Sequence, residues 1–164
     1  MAWGPGTAAG RKGDQMNQTK ASTKTIAVTQ RVARPAATLW QLIRSGRDMH
    51  RLLPGVIETC RMEGSGPGAR RYCTSKQGPL SETILCVEDD ARLFRYRIDE
   101  QRMMPLENYE GSIHVTELGG DSCQILWFAT YNLLDEGAEA AVREGLLGLL
   151  RTAITGMDAL VAAA

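Results

Sequence analysis

Two glutamates stand where apolar side chains are expected. Glu58 follows Val56 in "GVIETC", and Glu82 lies between Leu80 and Ile84 in "GPLSETI", each in step with apolar neighbours two residues away. Strand side chains change face at every residue, so a carboxylate in step with inward neighbours is carried inward with them. A buried carboxylate is costly unless it is hydrogen-bonded, paired or protonated. Two that approach one another raise the apparent pKa of the pair and leave one partly protonated, which suits proton transfer beside a carbonyl, as cyclisation or dehydration requires. Glu58, Glu82 and Tyr109 are therefore the candidate catalytic groups. The alternative keeps the residues without the chemistry: each carboxylate meets a tyrosine hydroxyl, Arg70 or Arg71, water or a bound molecule.

Other chemistries have less behind them. His50 and His114 are the only histidines, and alternation puts His114 on an outer face, so both read as exposed surface residues and neither a histidine metal site nor a Ser-His-Asp triad is supported. "GSGPG" at 64–68 lacks the lysine and following helix of a phosphate-binding loop and reads as a hairpin turn. The four cysteines, Cys60, Cys73, Cys86 and Cys123, include no C-x-x-C pair, and each falls in a strand-like run where a reduced thiol packs as a small hydrophobe. No cofactor is expected. With 19 basic and 19 acidic residues and no long block of like charge, nucleic acid is not an expected partner. No apolar run approaches the roughly 20 residues of a membrane span, and the first residues lack the apolar core of a signal peptide, so residence in the cytoplasm is the default.

The elements that must position these groups follow from periodicity. Residues 1–23 show no hydrophobic period and read as a flexible tail, with Met16 an alternative start or the end of a tag; residues 24–164 form one domain. Ile26, Val28, Gln30 and Val32 share one face of a first strand. "PAATLWQLIRS" follows as a short helix with Pro35 in its first turn, and a second helical piece spans 46–53. Strands are then expected near 56–63, 69–76, 80–88, 92–99, 109–118 and 122–133, with Gly78-Pro79 as a turn. Beyond Asp135, a plausible N-cap, Val142, Leu146, Leu149, Leu150, Ala153, Ile154 and Met157 make one face of a long helix. Gly145, Gly148 and Gly156 within it indicate a bend, a close approach to the sheet, or tolerated surface glycine.

This order of elements, together with "VARPAATLWQLI", "LLPGVIETC", "GSGPGARR" and "VEDDARLFRYRI", resembles the polyketide cyclase/dehydrase branch of the START-like superfamily, also called SRPBCC. The resemblance implies an α+β helix-grip, Bet v 1-like fold: a seven-stranded curved antiparallel sheet wrapped around the C-terminal helix, with two short helices after the first strand. "SETILCVEDDARLFRYRI", "LENYEGSIHV" and "ATYNL" are also similar to the plant abscisic-acid receptors, a ligand-binding branch. That likeness puts Glu82 and Tyr109 on cavity positions and "QGPLSE" at a gate loop. Glu58 stands where those receptors carry a lysine for the ligand carboxylate, and Met104-Pro105 where their latch has His-Arg, so the hormone is not carried over.

Alternation turns Glu58, Cys60, Tyr96, Tyr109, Gly111, Trp127, Ala129 and Tyr131 inward. For the 80–88 strand it leaves both faces open, and only the resemblance selects Leu80, Glu82 and Ile84. With Tyr72, Pro79, Met104, Leu106, Leu146 and Leu150 these make the expected ligand-binding set, mostly apolar with a few orienting polar groups. Met103-Met104 reads equally as pocket mouth or as simple loop burial. The expected function is non-catalytic binding of a small hydrophobic or amphipathic molecule, with the 77–80 and 101–107 loops guarding the entrance; the alternative is a cyclase or dehydratase. A homodimer is left open.

Overall fold

Alternation and helical period are both realised in the computed structural model, which describes residues 22–164. The reading of the first residues as a tail, Met16 included, lies outside the described residues up to residue 21. The chain runs β1 (Thr23–Val32), α1 (Ala36–Ser45), α2 (Met49–Leu52), β2 (Ile57–Glu63), β3 (Arg70–Ser75), β4 (Gly78–Glu88), β5 (Leu93–Glu100), β6 (Leu106–Glu117), β7 (Cys123–Leu133), a 3-10 turn at Glu136–Ala138, and α3 (Glu139–Ala162). One antiparallel sheet takes the order β1-β7-β6-β5-β4-β3-β2, so β1 and β2 are its edges. Ile26, Val28 and Val32 of β1, Phe94 and Tyr96 of β5, and Ile113, Val115, Ile125 and Trp127 of β6 and β7 are buried on one face. Against that face lie Val142, Leu146, Leu150, Ala153, Ile154 and Met157 of α3. This is the helix-grip arrangement.

Local chemistry sets the boundaries. α1 buries Ala36, Leu39, Trp40 and Ile43 and ends at Gly46, whose left-handed φ of 66° turns the chain while its N–H returns to the Ile43 carbonyl. Asp135 accepts from the Gly137 N–H and caps the entry to α3. Of the three α3 glycines, Gly156 meets α2 and not the sheet: a Cβ there would lie 2.5 Å from the Leu52 carbonyl oxygen. Gly145 faces Met104, and Gly148 faces open space. With its 3-10 turn, α3 is long and apolar enough by length and composition to cross a membrane, a point the run-length reading missed. Its apolar stripe is spent on the sheet.

Three further expectations are corrected. A bulge between Ile57 and Thr59 shifts the β2 register, which buries Ile57 and leaves Glu58 exposed. Lys76 and Gln77 make the β3–β4 turn, while Gly78 and Pro79 already belong to β4, with the exposed Pro79 opposite Thr74. Cys60 and Cys73, directly opposed on β2 and β3, form a disulfide, leaving Cys86 and Cys123 free. Such bridges persist in oxidising surroundings, so the cysteines lend no support to the cytoplasmic expectation.

Candidate functional site

Between the sheet and α3 the side chains leave a cavity of about 80 Å³. That is several times the roughly 10–15 Å³ that holds one water, so it is room for a small guest. Leu80, Ile98, Leu106, Leu146, Leu149, Leu150 and Ala153 supply most of its wall, and Met49, Leu53, Ile57, Met103 and Met104 complete the apolar lining. Glu82, Tyr96, Tyr109, Trp127 and Gln101 are the lining residues that carry polar side-chain atoms.

Glu82 is 2 % exposed and is answered by Arg71, 3 % exposed, from the neighbouring strand, because β3–β4 pairing places Arg71 directly opposite it. Arg71 Nε donates to Glu82 Oε2 at 2.5 Å, and Nη1 donates to the Gly46 carbonyl at 2.7 Å. The glycine that ends α1 thus also holds the guanidinium. Burial works against the Arg71 charge, but the attraction and hydrogen bond of Glu82 more than reverse this and raise the guanidinium pKa. Nη2 is buried without a partner among the described residues, and Arg71 borders a second hollow of about 20 Å³ under the α1–α2 turn.

The aromatic groups form a chain beside this pair. Trp127 Nε1 donates to the Tyr96 hydroxyl at 3.2 Å, and the Tyr96 and Tyr109 hydroxyls lie 3.3 Å apart. Arg71 sits 5.7 Å from the Tyr96 ring centre. Gly111 makes room for that ring: a Cβ there would come within 2.5 Å of it. Burial pushes the Tyr109 hydroxyl up to about 12, with the nearby Glu82 charge adding to it and the Tyr96 hydrogen bond opposing. Burial also raises Tyr96 well above its ordinary value. Both phenols stay protonated at neutral pH. Since Trp127 can only donate, the chain can run from Trp127 through Tyr96 to Tyr109, freeing the Tyr109 proton for the cavity.

The expected residues divide accordingly. Leu80, Glu82, Tyr96, Met104, Leu106, Tyr109, Trp127, Leu146 and Leu150 line the cavity together. Ile84, Ala129 and Tyr131 are buried core outside its lining, and Gly111 acts through Tyr96. Glu58 is exposed, so no Glu58–Glu82 pair forms and the acid–base dyad is lost. Tyr72 lies on the outer face between Arg61 and Arg70, whose guanidinium carbons stand 4.5 and 5.3 Å from its ring centre. Cys60 is taken by its disulfide, and Pro79 is exposed on the far side of the strand. His114 is exposed as expected, but His50 is half-buried, with Nδ1 unpartnered among the described residues. No cluster of three or more His, Cys, Asp or Glu suited to a metal occurs among the described residues. Sequence reasoning weighed Arg71 as one partner among several. It placed Ala153 on the apolar face of the long helix without assigning it to the cavity, and had no signal for Met49 or Leu53, which depend on how α2 docks.

A helix gripped by a curved sheet, with a mostly apolar cavity between them, defines the START-like, Bet v 1-like class. Within it, the chain belongs to the family described as "Polyketide cyclase / dehydrase and lipid transport", which it matches over residues 23–162. No curated protein matches it in sequence. Among solved structures it is similar to norcoclaurine synthase from Thalictrum flavum in complex with dopamine and hydroxybenzaldehyde, at 24 % identity and a TM-score of 0.73 over 98 % of both chains. An uncharacterised protein from Bacillus thuringiensis is 18 % identical with a TM-score of 0.73, over 85 % of this chain and 99 % of that one. The protein XoxI from Bacillus cereus is 18 % identical with a TM-score of 0.71, over 84 % of this chain and 95 % of that one. At these identities the likeness concerns the fold.

Proposed function

We propose that the protein binds a small, mostly apolar molecule in the cavity between sheet and α3, and holds one neutral hydroxyl-type group of it between Glu82 and Tyr109. The observation that carries this reading is the polar corner in an apolar wall: Glu82, paired with Arg71, offers an acceptor, and the protonated Tyr109 offers a donor. A hydroxyl can satisfy both at once. A carboxylate ligand would meet Glu82 with like charge. The single-ring molecules bound to the Thalictrum enzyme motivate the choice of probes.

The cyclase or dehydratase alternative has lost the second carboxylate on which its acid–base argument rested, since Glu58 is exposed. Calorimetric titration with p-cresol, toluene and 4-methylbenzoate tests the binding reading. A hydrogen bond to a charged group contributes about 1.5–3 kcal/mol, so p-cresol should bind about tenfold to a hundredfold more tightly than toluene, with the benzoate weakest. Equal affinity for p-cresol and toluene, or tightest binding of the benzoate, contradicts the assignment of Glu82 and Tyr109 as the anchor.

A further inference from the structure

Neither loop singled out by the receptor resemblance is built to swing. Lys76 and Gln77 form a two-residue turn between paired strands, tied by Ser75 Oγ, which donates to the Gly78 carbonyl at 3.0 Å and accepts from the Gln77 N–H at 3.2 Å. The loop between β5 and β6 is pinned by one side chain. Gln101 Oε1 accepts from the N–H groups of Met103 and Met104 at 2.7 and 3.0 Å, while Nε2 donates to the carbonyls of Met104 and Leu106 at 2.8 and 2.9 Å. The Leu134 N–H adds a bond to the Pro105 carbonyl at 3.0 Å.

The sheet itself opens instead. β5 and β6 pair from Leu93 opposite His114 to Arg97 opposite Glu110, and there the ladder stops, although β5 continues to Glu100 and β6 begins at Leu106. Over this stretch β5 stays paired with β4 as far as Glu100, and β6 stays paired with β7 from Leu106. Both strands are irregular there: β6 carries one extra residue between Glu107 and Glu110 relative to β7, with Asn108 at a positive φ of 52°, and β5 carries one between Ile98 and Glu100 relative to β4. A bulge bends its strand and interrupts pairing on that stretch. The two halves of the sheet therefore part around a cleft of about 470 Å³. Four residues of that cleft, Ile98, Gln101, Leu106 and Tyr109, also line the inner cavity. Cleft and cavity thus have these four residues in common, and widening the split breaks no β5–β6 ladder bonds, since the ladder ends at Arg97 and Glu110.

We propose that this slot between β5 and β6 is the portal through which the ligand enters and leaves. The portal rests on the cavity-binding reading. Deleting Asn108 removes the β6 bulge, and should narrow the slot, without touching a residue of the cavity lining. Without it, Leu106, Glu107 and Tyr109 alternate in, out, in, and Tyr109 can pair opposite Ile98. Fluorine NMR exchange of 4-fluorophenol, read on the full chain, should then show exchange slowed about tenfold or more with little change in affinity. Glu107→Trp, which plugs the rim from an exposed position, should slow exchange in the same direction and serves if the deletion variant does not fold. Xenon enters apolar cavities whatever the natural ligand, and its exchange should slow in the same order. If 4-fluorophenol does not bind the unmodified protein, the function proposed above falls, and the xenon rates alone decide the portal. Unchanged exchange in a variant whose amides at 98–100 have become protected from hydrogen exchange overturns it.

Discussion

Replacing Glu82 by leucine leaves the Arg71 guanidinium buried at 3 % exposure, with the Gly46 carbonyl as its remaining recorded acceptor. Breaking a buried pair by removing one partner costs about 3–5 kcal/mol, because the charge left behind stays desolvated and uncompensated. For a domain of this size each kcal/mol moves the midpoint by roughly 3 °C, so Glu82→Leu should melt about 10–15 °C lower. Arg71→Met should cost a comparable amount, since it strands the carboxylate and also gives up the bond to Gly46. The double variant removes both charges and should recover to within about 1–2 kcal/mol of the unmodified protein. Denaturant unfolding of the four proteins measures the coupling directly. Additive costs, with the double variant the least stable of the four, would refute the reasoning. The folded double variant also isolates function: it keeps Tyr109 as a donor but has no Glu82 acceptor, so the preference for p-cresol over toluene should shrink markedly.

Other outcomes follow from the same geometry. Tyr109 is held at about 12, above its unfolded value, so the folded state retains that proton longer. Its contribution is fully present below about pH 10 and falls away as pH rises toward 12, by roughly 2–3 kcal/mol, and absorbance at 295 nm should show its ionisation displaced to that range. Replacing both Cys60 and Cys73 by serine opens a loop of 13 residues' separation and should cost about 3 kcal/mol, while a mass two hydrogens below the fully reduced value should mark the bridge in the unmodified protein. Gly111→Ala forces a Cβ against the Tyr96 ring and should destabilise by about 1–3 kcal/mol, and a lowered Tyr96 pKa would report the ring's displacement.

The fold was legible because its evidence is periodic. The 2.0 and 3.6 periods, the Asp135 cap and the turn glycines all act within a few residues, and the described elements begin and end close to where those signals place them. The site was less legible because it depends on places where the period slips. One extra residue near Glu58 turned a strand face over and removed a proposed catalytic carboxylate. Another, near Asn108, lies where β5 and β6 part beside Tyr109, without changing that residue's inward face. Bulges have no strong sequence signature, since they answer to curvature set by distant packing. Glu82 shows the converse. Alternation left its face open, and what settles it is Arg71 directly across the ladder, a relation visible only once the strand register is known.

The most direct test of the central claim is an intermolecular NOE experiment on the protein with p-cresol. The ring protons of Tyr109 and Trp127 and the methyl groups of Leu106 and Leu150 should all show contacts to the bound molecule, with its hydroxyl end toward Tyr109. Contacts confined to the outer face of the sheet, or saturable binding with no contact to Tyr109 or Trp127, would contradict it.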